Sequence, residues 1–93
     1  MTDILDELYA VIADRKQNPQ PGSYTVSLFE EGEDEILKKV GEEAMEVILA
    51  AKGQGNDRIV FEVADLFYHL FVLLAAYDLT LDDVREELIQ RRR

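Results

Sequence analysis

The chain has no cysteine and no tryptophan, and its 93 residues include only one histidine and two prolines. Without cysteine, neither a disulfide framework nor a thiolate metal site is possible. Basic residues are also scarce: 10 lysines and arginines stand against 20 acids, which gives a formal net charge of -10. This charge argues against nucleic acid as the partner. It is compatible with a phosphorylated small molecule if metal ions mediate the contact.

The sequence offers no obvious targeting or membrane segment. Asp3, Asp6 and Glu7 interrupt the first apolar residues, so the N-terminus does not resemble a signal peptide. The apolar run 66–77 is too short to span a bilayer and contains His69. We therefore expect a soluble, cytoplasmic protein with a single domain over residues 1–93. A domain of this size has a modest core that a partner subunit would help to complete.

Apolar residues at helical spacing predict an all-α fold of about four helices, arranged as an antiparallel bundle and completed by dimerisation. The first helix is predicted over 2–17, with Thr2 or Asp3 as its cap. Two prolines and a glycine in 18–22 end it. Residues 23–29 have a β-like composition without an obvious partner strand, and we interpret them as an ordered loop or a short helical turn.

The second and third helices are predicted to be antiparallel neighbours. The second covers 33–52, and a short glycine-containing connection separates it from the third, which Asn56 or Asp57 would cap and which would reach about Tyr77. The third helix is apolar on nearly every side, as expected for a buried helix. The second has an additional apolar stripe at Met45 and Leu49, which favours an oligomer.

The fourth helix is predicted to start at Thr80, with Asp83 completing a capping box. Basic residues 91–93 would end it, near the negative end of the helix dipole. The residues expected to pack it against the rest of the chain are Leu81, Val84, Leu88 and Ile89.

Two acid pairs are the candidate functional residues. Glu43 and Glu46 lie on the second helix, and Glu62 and Asp65 on the third; the spacing i, i+3 directs both carboxylates of a pair to one face. Their apolar surroundings make unpaired charge costly. All-oxygen clusters suit Mg²⁺ or Mn²⁺, so we predict a divalent metal site. The alternatives are a solvated helix face and ion pairs with neighbouring cations such as Arg58.

Further polar residues near these acids have open roles. His69 lies on the polar side of the third helix, where it would orient Asp65 rather than bind the metal. The neighbouring cations would either balance charge or contact phosphate oxygens, and the hydroxyl residues of 23–25 would bind ribose or phosphate or merely cap the second helix. The candidate substrate-binding residues are Ser23, Tyr24, Thr25, Lys38, Lys39 and Arg58.

The acid signature resembles that of the all-α nucleoside triphosphate pyrophosphohydrolases of the MazG type. It consists of Glu42-Glu43-x-x-Glu46 followed by Glu62-x-x-Asp65. Three blocks, 23–25, 38–44 and 62–70, are similar to the phosphoribosyl-ATP pyrophosphohydrolases of histidine biosynthesis. The resemblance covers nearly the whole chain and implies a form without the cyclohydrolase domain to which some of these enzymes are fused.

This resemblance implies Mg²⁺-dependent hydrolysis of phosphoribosyl-ATP to phosphoribosyl-AMP and pyrophosphate by a homodimer. Glu43, Glu46, Glu62 and Asp65 would be metal ligands, and Glu42 would be the base or support the ligands. A metal ion and a carboxylate would activate the attacking water. The competing hypotheses are a house-cleaning pyrophosphohydrolase that acts on ordinary or damaged nucleotides, and a non-catalytic helical dimerisation module.

Overall fold

The computed structural model of the chain describes residues 3–92, which contain five α-helices and no strand. The helices are α1 (Ile4–Gln17), α2 (Tyr24–Glu31), α3 (Glu33–Gly53), α4 (Asn56–Ala76) and α5 (Leu81–Arg91). The predicted all-α class is confirmed. The described part of the chain has one helix more than the four that periodicity predicts.

The additional helix is α2, where a loop or a single turn was predicted. Ser23 is its N-cap, and the Ser23 hydroxyl accepts a hydrogen bond from the backbone N–H of Val26 at 3.2 Å. Val26 and Leu28 are buried against the rest of the chain. Burial of these two side chains overrides the weak helix propensity of the segment, because tertiary packing supplies most of the stability of a short helix.

The helix ends confirm some of the predicted caps and correct others. Asp3 caps α1 and Thr80 caps α5, each within a capping box; Thr2 and Arg93 lie outside the described residues. The prediction that Asn56 or Asp57 caps α4 is wrong. The N-cap is Gly55, whose φ of 91° lies in a region that favours glycine, and no side chain bonds to this helix end.

The long helices α3 and α4 form a hairpin around a two-residue connection, Gln54 and Gly55. The core lies where α1, α2 and α3 meet the second half of α4. Its buried members are Ile12, Leu28, Ile36, Phe71, Val72 and Ala75. The first half of α4 extends away from this core and is available to form a site with α3.

The prediction that α4 is a buried helix is wrong for the single chain. Val60 is 69% exposed and Phe61 57% exposed, and α3 exposes Met45, Ile48 and Leu49. By length and apolar composition α4 could cross a membrane, a criterion that the core helix of a soluble protein also meets.

The helix α5 packs less than predicted. It has no buried residue; Val84 is 38% exposed, Leu88 60% and Ile89 54%, while Leu81 is half-buried. The expected packing of Val84, Leu88 and Ile89 is therefore wrong within one chain. Arg85 connects α5 to α1 instead, through an ion pair with Asp6 at 2.7 Å.

Candidate functional site

The centre of the candidate site is a contact between carboxylates of α3 and α4. Glu43 is only 8% exposed, although its side chain ends in a carboxyl group. One oxygen of Glu43, one of Asp65 and one ring nitrogen of His69 all lie within 4.8 Å of one another. Glu43 and Asp65 both lie near the middle of their 21-residue helices. The antiparallel hairpin therefore brings one member of each predicted acid pair into direct proximity.

The hydrogen bonds of His69 define which of its nitrogens donates. His69 is 4% exposed, and its Nδ1–H donates to the backbone carbonyl of Asp65 at 2.9 Å. This bond leaves Nε2 as an acceptor, and the hydroxyl of Tyr24 donates to Nε2 at 3.3 Å. His69 was predicted to orient Asp65. It contacts Asp65 through the backbone carbonyl, and its Nδ1 also lies 3.9 Å from a carboxylate oxygen of Asp65. His69 also belongs to the cluster of potential ligands.

The other two predicted ligands border the same cleft without joining the central cluster. Glu46 is exposed, while Glu62 is 4% exposed and forms an ion pair with Arg58 one turn earlier on α4. The guanidinium of Arg58 also lies 4.6 Å from the ring centroid of Phe61. The pairing of Glu62 with Arg58 was one of the alternatives to metal binding.

The adjacent residues Lys38 and Lys39 lie on different sides of α3. The ammonium of Lys39 lies 3.4 Å from a Glu42 carboxylate oxygen and 3.6 Å from a Glu43 oxygen. Lys38 points elsewhere: it pairs with Glu35 at 3.3 Å and does not line the cleft. The structure thus brings Lys39 and Glu42 to the candidate site and separates Lys38 from it.

The hydroxyl residues at the start of α2 have three different partners. Ser23 caps α2 and not the helix over 33–52 that it was expected to cap. Thr25 is hydrogen-bonded to the hydroxyl of Tyr68 on α4, and Tyr24 reaches His69. Tyr68 was not among the predicted site residues. The only signal in the sequence that could have identified Tyr68 was its position next to His69, within the block 62–70 that resembles the phosphoribosyl-ATP pyrophosphohydrolases.

Crowding of like charges shifts the ionisation of the central carboxylate. The hydrogen bond with Asp65 raises the pKa of Glu43, burial raises it further, and Lys39 opposes the shift. Burial lowers the pKa of Lys39, but the neighbouring Tyr24 hydroxyl and the carboxylates of Glu42 and Glu43 outweigh this effect and raise the pKa. The carboxyl group of Glu43 therefore keeps its proton to a higher pH than an ordinary glutamate does, although His69 and Lys39 both lower its pKa.

These groups surround an open cleft of ≈ 500 Å³ between α3 and α4. Its lining residues are Lys39, Glu42, Glu43, Met45, Glu46, Phe61, Glu62 and Asp65. Carboxylate oxygens are the donors that Mg²⁺ and Mn²⁺ prefer, and Mg²⁺ commonly binds through few carboxylates, waters and phosphate oxygens. The donor set and its unbalanced negative charge fit a hard divalent cation.

Comparison with known proteins assigns the chain to a family. Residues 5–92 match the family model of phosphoribosyl-ATP pyrophosphohydrolase. The chain is 55% identical to the phosphoribosyl-ATP pyrophosphatase of Methanocella arvoryzae over all of both chains, and 58% identical to that of Pelotomaculum thermopropionicum over 97% of this chain and 92% of that protein. It is 56% identical to a histidine biosynthesis bifunctional protein of Caldanaerobacter subterraneus, over 96% of this chain and 43% of that protein. The chain belongs to the phosphoribosyl-ATP pyrophosphohydrolase family.

Proposed function

We propose that this chain hydrolyses phosphoribosyl-ATP to phosphoribosyl-AMP and pyrophosphate in histidine biosynthesis, with Mg²⁺ bound in the cleft between α3 and α4. The names of its relatives support the substrate. The observation that supports the location is the proximity of the carboxylates of buried Glu43 and half-buried Asp65, oxygens of which lie within 4.8 Å of each other. Such a pair is costly unless a cation compensates it.

In this proposal Glu43 and Asp65 hold the ion, and Glu46 and Glu62 contribute from the border of the cleft. Bound Mg²⁺ would neutralise charge on the phosphate oxygens and the leaving pyrophosphate. Glu62 already accepts a hydrogen bond from Arg58, so it takes part either by sharing that partner or by releasing it to a phosphate oxygen. Mn²⁺ suits the same oxygen donors.

The residues around the ion position the reaction. Lys39 lies between Glu42 and Glu43, where its ammonium reaches phosphate oxygens in the cleft. A water oxygen forms a bond to phosphorus while the bond from that phosphorus to the bridging oxygen breaks, and pyrophosphate leaves. The proton of the water passes to a carboxylate, and we assign this role to Glu42, which borders the cleft and is free to exchange the proton with solvent.

The substrate is tested by measuring pyrophosphate release from phosphoribosyl-ATP against a panel of ordinary and damaged nucleoside triphosphates, with Mg²⁺ present. We expect the highest kcat/KM for phosphoribosyl-ATP. Preference for a plain triphosphate would instead indicate a house-cleaning enzyme. If no substrate were hydrolysed and Mg²⁺ did not bind, the acids would only solvate the groove of a dimerisation module.

We also propose that the chain acts as a homodimer of single-domain subunits in the cytoplasm. The large apolar side chains that α3 and the first half of α4 leave exposed support the dimer, because isolated monomers rarely expose such a patch. The residues of this patch, called the α3–α4 apolar face below, are Met45, Ile48, Leu49, Val60 and Phe61.

A further inference from the structure

Two adjacent polar contacts connect the first turn of α2 to α4. Tyr24 and Thr25 are consecutive on α2, and their partners, His69 and Tyr68, are consecutive on α4. The hydroxyl of Thr25 is bonded to that of Tyr68, and the hydroxyl of Tyr24 donates to Nε2 of His69 at 3.3 Å. Of these four residues, only Tyr68 was not a candidate site residue from the sequence.

The aromatic rings add a second set of contacts at the same place. Tyr24 and Tyr68 are stacked, with ring centroids 6.2 Å apart and an angle of 25° between their planes. The ring of His69 is roughly perpendicular to both tyrosine rings, and its centroid lies 6.1 Å from that of Tyr24 and 4.9 Å from that of Tyr68. Contacts of this kind have a preferred geometry, so the orientation of Tyr68 defines where the Tyr24 ring lies.

The position of Tyr24 makes this orientation relevant to the site. Its hydroxyl contacts His69, whose ring nitrogen lies within 4.8 Å of carboxylate oxygens of Glu43 and Asp65. The Tyr24 side chain is nevertheless 52% exposed, so part of the ring is available to a ligand. An exposed aromatic ring beside a phosphate-binding cleft offers a surface on which a purine base can stack.

We infer that Tyr68 is a positioning residue: its hydroxyl, bonded to Thr25, fixes the first turn of α2 and so holds the Tyr24 ring at the acid cluster to bind the base of the substrate. The inference rests on the proposed function for the identity of the substrate. Tyr68 itself is half-buried, contacts the exposed ring of Tyr24 and, like Tyr24, does not line the acid cleft. It therefore acts through Thr25 and Tyr24.

Kinetics of Tyr68→Phe and Thr25→Val with phosphoribosyl-ATP test this role, because each variant removes one hydroxyl of the same hydrogen bond. We expect KM to rise about tenfold and kcat to stay within about twofold, since the acids and Lys39 are unchanged. The double variant should be no worse than either single one, as for two residues of one contact. Tyr77→Phe is the matched control, because its hydroxyl bonds Glu33 at 2.7 Å outside the cleft.

Amide hydrogen exchange tests the structural step without any substrate. The N–H groups of Val26 and Ser27 both bond back to Ser23, at 3.2 and 3.1 Å, and report on opening of the first turn of α2. We expect their exchange to become about tenfold faster in Tyr68→Phe and to stay unchanged in Tyr77→Phe.

The outcomes separate this inference from the proposed function. Faster exchange with an unchanged KM would make the contact purely structural and overturn the inference, as would unchanged exchange at Val26 and Ser27. Additive effects in the double variant would also contradict it. If the unsubstituted chain failed to hydrolyse phosphoribosyl-ATP, the proposed function would be refuted, and hydrogen exchange alone would still decide whether Tyr68 fixes α2.

Discussion

Replacing Glu43 by glutamine removes one charge from the central carboxylate pair while the shape of the side chain is kept. Two electrostatic interactions are lost. At an effective dielectric constant of about 20, repulsion from Asp65, an oxygen of which lies within 4.8 Å, amounts to at least roughly 3 kcal/mol, and attraction to Lys39 at 3.6 Å to roughly 5 kcal/mol. The side chain of Asp65 is 40% exposed and that of Lys39 24%, so solvent reduces both. Because the two interactions oppose each other, we expect the metal-free variant to differ from the unsubstituted chain by no more than about 1 kcal/mol.

The response to metal should differ much more. A ligand at 100 times its dissociation constant stabilises a protein by about 2.7 kcal/mol, which corresponds to an increase in Tm of roughly 10–20 °C for a domain of this size. We expect Mg²⁺ to raise the Tm of the unsubstituted chain on this scale and to have little effect on Glu43→Gln. Turnover should fall at least about 100-fold, the usual consequence of losing one charge-stabilising group at a reacting phosphate.

Thermal unfolding with and without Mg²⁺, combined with a pyrophosphate-release assay, measures both effects. Glu87→Gln is the matched control, because Glu87 pairs with Arg91 on the exposed helix α5 at 2.8 Å and loses the same charge away from the cleft. A Glu43→Gln variant that kept its Mg²⁺-dependent Tm increase and its turnover would refute the metal site. Unfolding of the metal-free variant would refute the electrostatic balance.

Three further predictions address other parts of the molecule. Arg58→Met leaves the buried carboxylate of Glu62 without its hydrogen-bond donor, so urea unfolding should show a loss of about 1–3 kcal/mol without metal and a smaller loss with Mg²⁺. Ile48→Glu places a charge in the α3–α4 apolar face, where Ile48 is 54% exposed; sedimentation should detect monomers in place of dimers, whereas a variant that stays dimeric would exclude this face. The hydrogen bond from Arg85 lowers the pKa of Asp6, so this pair should stabilise the fold fully at pH values above the unfolded-state pKa of 3.8. Its contribution should be lost as the pH falls through the lowered pKa. In acid unfolding, the free energy of unfolding should therefore depend less on pH over this range in Arg85→Met.

The sequence was sufficient to predict α3, α4 and the proximity of their acids, because two strongly patterned helices around a glycine-containing connection have few alternative arrangements. It was insufficient for α2. The β-branched and aromatic residues of 23–29 have no strong local preference, and the helix depends on burial of Val26 and Leu28 in a core assembled from distant segments. Likewise, Gly55 rather than a polar side chain begins α4, since the tight connection requires a positive φ there.

Spacing alone also could not distinguish the four acids from one another. Residues at i and i+3 are separated by about 60° around a helix, so one can face a neighbouring helix while the other reaches solvent. Glu43 is buried and Glu46 exposed for this reason. The pairing of Glu62 with Arg58, by contrast, could be predicted from their i, i+4 spacing. Which acid of α4 lies next to Glu43 depends on the rotation of α4 about its axis relative to α3, and the structure has Asp65 there rather than Glu62.

The location of the acids relative to the exposed apolar residues explains why α4 has so few polar positions. Met45 and Phe61 belong both to the α3–α4 apolar face and to the lining of the acid cleft. A second subunit on that face would exclude water from one side of the cleft, and the attraction between the carboxylates and a cation would become stronger because the local dielectric constant falls. If the chain dimerises and binds metal as proposed, one surface of α4 would satisfy two requirements, apolar contacts for association and carboxylates for the metal. A helix that meets both requirements is apolar on most sides and keeps a single polar stripe.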